Sequence, residues 1–129
     1  MLRAMVGLGA KAAIASLIAI RTDSASINGD KGSTITYLFT LSMQHAMIWV
    51  SQGLMPSNTK AAKRDDVNYL GSYGGAIAQS PSDAGAADMS NGDLETARLF
   101  GKRSHRHCSK LGIQRRQLLA HLNQVLLVF

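Results

Sequence analysis

Thr22-Asp23-Ser24-Ala25-Ser26-Ile27-Asn28-Gly29-Asp30-Lys31-Gly32 is the stretch of this sequence that decides the fold. It is rich in turn-forming residues and directly follows a short apolar run, Ala12 to Ile20. Periodicity alone does not distinguish a buried strand from a helix in so short a run. The turn-rich stretch after it favours a buried strand that leads into a loop.

The residues after this loop follow a helical pattern. Between Ser33 and Ala46, apolar and small side chains recur at the spacing of one helix face, namely Ile35, Leu38, Phe39, Ser42 and Ala46. We predict a helix here, with Asp30 or Ser33 as its capping residue. The compact apolar run Met47-Ile48-Trp49-Val50 predicts a second buried strand. Strand, helix and strand then make one βαβ unit with a right-handed crossover.

The second half of the chain is less regular. Residues 57–92 are rich in Gly, Ser, Asp and Asn, which predicts a long surface loop of the functional or mobile kind. Ser90 and Asp93 have the spacing of a capping box and predict the start of another helix. For that helix we expect a sheet-facing side of Leu94, Ala97 and Gly101 and a solvent-facing side of Glu95, Arg98 and Lys102. We place a domain boundary after Arg103, where residues 104–129 become a basic tail with a possible amphipathic helix from Gln114.

The net charge of +6 is concentrated at the end of the chain. Up to Ala97 there are seven Lys and Arg against eight Asp and Glu, whereas from Arg98 onward there are seven basic residues and no acidic one. Because no aromatic residue alternates with these charges, base stacking has no platform, and we expect no nucleic-acid partner. A small basic binding protein that acts through residues 98–129 remains an alternative.

Other features of the composition exclude several classes of site. Cys108 is the sole cysteine, so the chain has no internal disulfide framework, and we expect a reducing, cytoplasmic location. Lys11 interrupts the apolar start of the chain, and we expect neither a targeting segment nor a membrane partner. His105, His107 and Cys108 have no second ligand pair nearby, so we expect no metal site.

Five short motifs, taken in order, resemble the flavodoxin-like NAD(P)H-dependent FMN reductases. The resemblance is closest to NAD(P)H:quinone oxidoreductases of the tryptophan-repressor-binding-protein type. The motifs are Ser24 to Lys31, then Ser33-Thr34 with Gln44 to Val50, Asn68 to Ala76, Ala78-Gln79-Ser80, and Gly92 to Arg98. Together they span roughly Thr22 to Arg103.

This resemblance implies a flavodoxin-like α/β fold with a doubly wound parallel sheet. It implies transfer of electrons from NAD(P)H through FMN to a quinone or flavin acceptor, in a homo-oligomer. By position, the loop around the flavin ring is Ser24, Ala25, Ser26, Ile27, Asn28 and Gly29. His45 matches a histidine beside the flavin, in a His-Gly-Met-like motif that reads His-Ala-Met here. No catalytic acid, nucleophile or metal is implied, because the flavin performs the hydride chemistry.

The family pattern also has three βα units ahead of the flavin-ring loop, the first of which binds the FMN phosphate at a helix N-terminus. Met1 to Ile20 contains no Ser/Thr/Gly-rich turn of that kind. We therefore expect an incomplete domain, with the N-terminal βα units missing and the ring-facing half of the site present. A non-catalytic fragment is the corresponding alternative.

Overall fold

A computed structural model describes residues 17–111 and shows an α/β arrangement in which all strand pairing is parallel. The strands are β1 (Leu17–Ile18), β2 (Arg21–Asp23), β3 (Ile48–Trp49) and β4 (Ala76–Ala78). The helices are α1 (Lys31–Gln44) and α2 (Asn91–Lys110), with a short 3-10 turn at Ala86–Asp88. The predicted α/β class is confirmed.

One extended run of the chain pairs with two strands from different places in the sequence. In the β1–β3 pair, Leu17 lies opposite Ile48, and in the β2–β4 pair, Asp23 lies opposite Ala78. Residues 51–75, hereafter the excursion, leave the sheet after β3 and return to it before β4. The two ends of the excursion are joined by a hydrogen bond of 3.0 Å from the Gln52 N–H to the Tyr73 carbonyl.

Helix α1 agrees with its prediction in place but not in capping. It packs against β2 and β3, and its buried side chains are Lys31 and Ser42. Asp30 occupies the capping position in a left-handed conformation with φ +49°, and its side chain makes no cap hydrogen bond. The predicted side-chain cap is therefore wrong, and the left-handed backbone of Asp30 differs from the extended conformation that a capping residue typically has.

Helix α2 buries a different face from the one predicted. Asp93, Thr96 and Phe100 are buried, whereas Leu94 is 45% exposed and Gly101 is exposed. The polar members of this face are buried because they bond to the excursion; the Thr96 hydroxyl, for instance, accepts the Asn68 N–H at 2.7 Å. Apolar periodicity could not reveal such a polar contact face.

Helix α2 ends later than the sequence predicted. The domain boundary after Arg103 does not coincide with the end of a helix, since α2 continues to Lys110. The Ser104 and Ser109 hydroxyls donate to carbonyls one turn earlier, which keeps these polar residues compatible with the helix. The possible helix from Gln114 and most of the predicted strand Ala12 to Ile20 lie outside the described residues.

Within residues 17–111 the buried apolar side chains are Val50, Ala76 and Phe100, which connect β3, β4 and α2. Strand β4 was not predicted, since its three residues, Ala76-Ile77-Ala78, are too short to give a pattern inside a Gly- and Ser-rich stretch. None of the helices described is both long enough and apolar enough to span a bilayer.

Candidate functional site

The predicted site loop, Ser24–Gly29, begins directly where β2 ends. Gln79 and Ser80 begin directly where β4 ends. Because Asp23 and Ala78 are opposite each other in a parallel pair, both segments leave the sheet from the same edge. The carboxyl ends of parallel strands are where open α/β sheets bind their ligands.

Two long side chains hold successive carbonyl groups of this loop. The Gln79 side-chain amide donates to the Ala25 carbonyl at 3.0 Å, and the Lys31 ammonium donates to the Ser26 carbonyl at 2.6 Å. Lys31 is only 2% exposed. A buried ammonium group needs a hydrogen-bond acceptor to offset its lost hydration, so the Ser26 carbonyl is fixed toward the protein.

The orientation of these carbonyls leaves the following N–H groups available. In a trans peptide the C=O and the N–H point in opposite directions, so the Ile27 N–H points away from Lys31. Within residues 17–111 no acceptor receives the N–H groups of Ile27, Asn28 or Gly29, and all three residues are exposed. The loop therefore presents three consecutive donors to any ligand with carbonyl or ring-nitrogen acceptors.

The end of the loop requires glycine. Gly29 has φ +50°, and a Cβ at this position would overlap the Ser24 side chain. The Asn28 carbonyl then accepts the Lys31 N–H at 3.1 Å, which closes the turn onto the start of α1. This turn explains why small residues dominate the stretch from Ser24 to Gly29.

Charged groups of both signs lie around the loop. Helix α1 has no acidic residue in its first turn, but Asp30 occupies its capping position, next to Lys31, whose ammonium donates to the loop. Asp23, at the end of β2, accepts a hydrogen bond from the Ser80 hydroxyl. The dipole of α1 favours partial negative charge on a ligand atom near its N-terminus, and the Asp30 carboxylate opposes this effect.

An ion pair between the half-buried Arg64 and the buried Asp93 lies next to Gln79. Asp93 is 3% exposed, and its two carboxylate oxygens accept from the Arg64 guanidinium at 2.9 and 2.6 Å. The hydrogen bonds that the Arg64 guanidinium donates to Asp93 raise the pKa of Arg64. The same carboxylate accepts the Gln79 N–H at 2.9 Å.

Sequence reasoning found the loop but missed the residues that hold it, which are Lys31, Arg64, Gln79 and Asp93. Gln79 and Ala25 are 54 positions apart, and Arg64 and Asp93 are 29 apart. One signal was present, because Gln79 follows a short apolar run just as Ser24 does. Recognition of β4 as a strand would have placed the two segments at one edge.

His45 is not brought to this loop within one chain. It caps the C-terminal end of α1, where its N–H donates to the Leu41 carbonyl at 3.2 Å, and its side chain is exposed. The loop lies at the other end of this 14-residue helix, roughly 20 Å away at 1.5 Å per residue. A role for His45 at the same ligand stays a prediction, and it would require a second copy of the chain.

A metal centre and a surface depression are the other kinds of site to consider in the described part of the chain. Across residues 17–111 no group of three or more His, Cys, Asp or Glu side chains is placed to hold a metal ion. Gly101, Lys102, His105 and Arg106 line an open depression on α2. This depression lies two or more helical turns beyond Asp93, the residue of α2 that reaches the site.

Comparison with known proteins agrees with this arrangement. The chain is 52% identical over 82 residues to flavodoxin FldP of Pseudomonas aeruginosa (strain UCBPP-PA14). The match covers 64% of this chain and 45% of FldP, so the chain spans about half the length of this curated relative. No family model matches the chain, and no solved structure does. The similarity confirms a flavodoxin-like α/β fold but does not distinguish the NAD(P)H-dependent FMN reductases within it.

Proposed function

We propose that this chain provides the ring-binding part of an FMN site in an electron-transfer protein. The observation that favours this function most is the loop Ser24–Gly29 at the carboxyl end of a parallel strand, where three backbone N–H groups have no acceptor among residues 17–111. The flavin ring has carbonyl oxygens and ring nitrogens along one edge, which match a row of N–H donors. The similarity to a flavodoxin supports the same ligand.

The residues of the site fit a flavin ring in size and charge. Small side chains at Ser24, Ala25 and Ser26 allow a planar ring to approach the backbone closely. The dipole of α1 and the Lys31 ammonium favour electron density on the ring edge, and the Asp30 carboxylate at the cap of α1 opposes it. When bound, FMN supplies the redox chemistry, while the loop orients the ring and excludes water from one side of it.

The more specific proposal is that electrons come from NAD(P)H and pass to a quinone-type or flavin acceptor. It is supported by the five motifs between Thr22 and Arg103, which resemble the NAD(P)H:quinone oxidoreductases. A homo-oligomer with shared sites belongs to the same proposal, and it would allow His45 of one copy to approach the flavin of another. A cytoplasmic location is consistent with a single cysteine, Cys108.

Flavin titration of the purified full chain tests the proposal. Added protein should quench the fluorescence of a fixed FMN concentration in a saturable way, because loop donors and neighbouring side chains change the ring's surroundings. An equal concentration of unfolded chain in denaturant serves as the control. Fluorescence that is unchanged at every protein concentration would support the alternative of a non-catalytic fragment without flavin.

The more specific proposal has its own test. The flavin-loaded protein should oxidise NADH or NADPH faster when a soluble quinone is present than when it is absent. If the protein binds FMN but oxidises neither nucleotide, NAD(P)H is excluded as the electron donor. The proposed electron-transfer role would not be affected by that result.

One observation favours a second function, a basic binding surface. Lys102, Arg106 and Lys110 are exposed on α2 at intervals of four residues, so they form one stripe. Association with RNA or anionic vesicles that disappears when residues 98–129 are deleted would support this function. No association at all at low salt would exclude it.

A further inference from the structure

We propose that Arg64, Asp93 and Gln79 are positioning residues, through which the excursion sets the conformation of the loop Ser24–Gly29. The inference rests on the proposed function, since the purpose assigned to the loop is to hold a flavin ring. None of the three residues belongs to the motif that matches the flavin-ring loop. Arg64 makes no hydrogen bond to the loop, so it would act at a distance.

The first step is the contact between Gln79 and the loop. The Gln79 amide holds the Ala25 carbonyl at 3.0 Å, and this hydrogen bond is exposed to solvent. Water competes for both partners in such a bond, so its formation depends on how firmly the Gln79 backbone is fixed. A freely moving residue 79 would lose its bond to Ala25 most of the time.

The second step fixes that backbone. The Gln79 N–H donates to Asp93 at 2.9 Å, and the Gln79 carbonyl faces an Arg64 nitrogen at 3.4 Å. Both polar groups of one residue thus bond to the two members of a single ion pair. Next along the chain, the Ser80 hydroxyl bonds to Asp23 at the end of β2.

The third step concerns the ion pair itself. Asp93 is 3% exposed, so its carboxylate has little access to water and depends on protein donors. Arg64 satisfies both carboxylate oxygens with one planar group, and it also donates to the Ser90 hydroxyl at 3.0 Å. Because Arg64 lies in the excursion, the excursion decides where Asp93, and therefore Gln79, is held.

A protein-only experiment tests the positioning without any flavin. Lys31 is buried beneath the loop, so the rate of trypsin cleavage after Lys31 reports how often the loop opens. Cleavage after the exposed Lys110 provides an internal reference. For Gln79→Ala we expect the relative cleavage rate to rise about three- to tenfold, as for the loss of one hydrogen bond.

Two further variants complete the test. Arg64→Lys keeps the charge but loses the planar two-point contact, so it should also raise the Lys31 cleavage rate without removing the ion pair. Gln44→Ala changes an exposed glutamine at the far end of α1 and should leave the rate unchanged. Unchanged cleavage in Gln79→Ala overturns the proposal, and unchanged cleavage in Arg64→Lys alone overturns the role of the excursion.

A pH profile separates positioning from simple packing. Gln79→Glu has the same size but no donor for Ala25 at neutral pH, so its FMN affinity should fall as in Gln79→Ala. As the pH falls toward about 4.3, the protonated carboxyl group becomes a donor and the affinity should recover toward the wild-type value at that pH. An affinity for Gln79→Glu equal to wild type at pH 7 would show that only packing matters. If the wild type binds no FMN, the proposed function fails, whereas the trypsin result still decides the positioning.

Discussion

At the scale of single residues, the conformation of the loop Ser24–Gly29 depends on a glycine and a lysine. Gly29 allows the chain to turn close to the Ser24 side chain, and the Lys31 ammonium donates a hydrogen bond to the Ser26 carbonyl. Together they determine which way the free N–H groups of the loop point. The sequence predicted a turn at these residues because turn-forming residues after an apolar run are a local signal, whereas the flavin contact of the loop stays a prediction.

Substitution of Gly29 tests this dependence. Gly29→Ala should destabilise the fold by about 1–3 kcal/mol, because an L residue at φ +50° is strained and its Cβ overlaps Ser24. FMN affinity should fall at least tenfold for the same reason. Gly32→Ala is the matched control, since nothing lies within 4 Å of the added Cβ, and it should stabilise the helix by about 0.5–1 kcal/mol. Thermal unfolding measures the change in stability, and flavin titration measures the change in FMN affinity. Equal stability and equal FMN affinity of the two variants would contradict the assigned turn.

At the scale of elements, the sequence predicted the parts with local patterns and missed the parts that depend on distant partners. Helix α1 and strand β3 lie within a few residues of their predicted positions, because apolar spacing is visible along the chain. The contact face of α2 was missed because Asp93 and Thr96 are buried as polar residues that bond to the excursion. Only the fold makes those partners adjacent.

The hydrogen bonds that Asp66 accepts within the excursion can be tested at the scale of elements. The Lys63 N–H at 2.9 Å and the Ser57 hydroxyl at 2.7 Å both donate to its carboxylate, and these bonds lower the pKa of Asp66. The charged form is thus favoured in the folded state. This stabilisation is present above the ordinary aspartate pKa of about 3.8 and is lost as the pH falls through the lower folded value.

Ser57→Ala should therefore raise the pKa of Asp66 part of the way back toward its ordinary value. The shift is partial because the larger contribution, from the Lys63 N–H, remains. Carbon NMR titration of the carboxyl group measures the pKa directly. Ser51→Ala, at the exposed start of the excursion, is the control and should leave it unchanged; an unaltered pKa in Ser57→Ala would refute the assigned hydrogen bond.

At the scale of the whole molecule, the described chain exposes more large apolar side chains than it buries. Tyr37, Met55 and Tyr73 are 65%, 80% and 61% exposed, and the buried apolar residues of this region are Val50, Ala76 and Phe100. Association with other chains would remove such exposed apolar side chains from water. Composition does not reveal this imbalance, because the number of apolar residues is ordinary and only their placement is unusual.

We accordingly expect the purified chain to self-associate. Its weight-average sedimentation coefficient should increase with protein concentration, because association buries the exposed apolar groups. Tyr37→Ser with Met55→Ser should weaken that increase, whereas Lys60→Ser, an exposed polar site, should not. A single sedimenting species with the mass of one chain at all concentrations would contradict the expectation.

Comparison of FMN with riboflavin tests how much of the flavin the molecule recognises. Every contact proposed for the site would be made to the ring, and the sequence from Met1 to Ile20 contains no Ser/Thr/Gly-rich motif of the phosphate-binding kind. The dissociation constants of the two ligands should therefore agree within about threefold, under 1 kcal/mol. An FMN affinity about a hundredfold higher would show that the chain also binds the phosphate.

The central claim, that Ser24–Gly29 contacts the flavin ring, is tested most directly by NMR of the backbone amides during an FMN titration. The Ile27, Asn28 and Gly29 N–H resonances should shift progressively and saturate together, because these donors gain acceptors on the ring edge. The amides of Lys102 and Arg106 on the distal half of α2 should remain in place. Saturable binding that shifts the α2 amides and leaves the three loop amides unchanged would contradict the account.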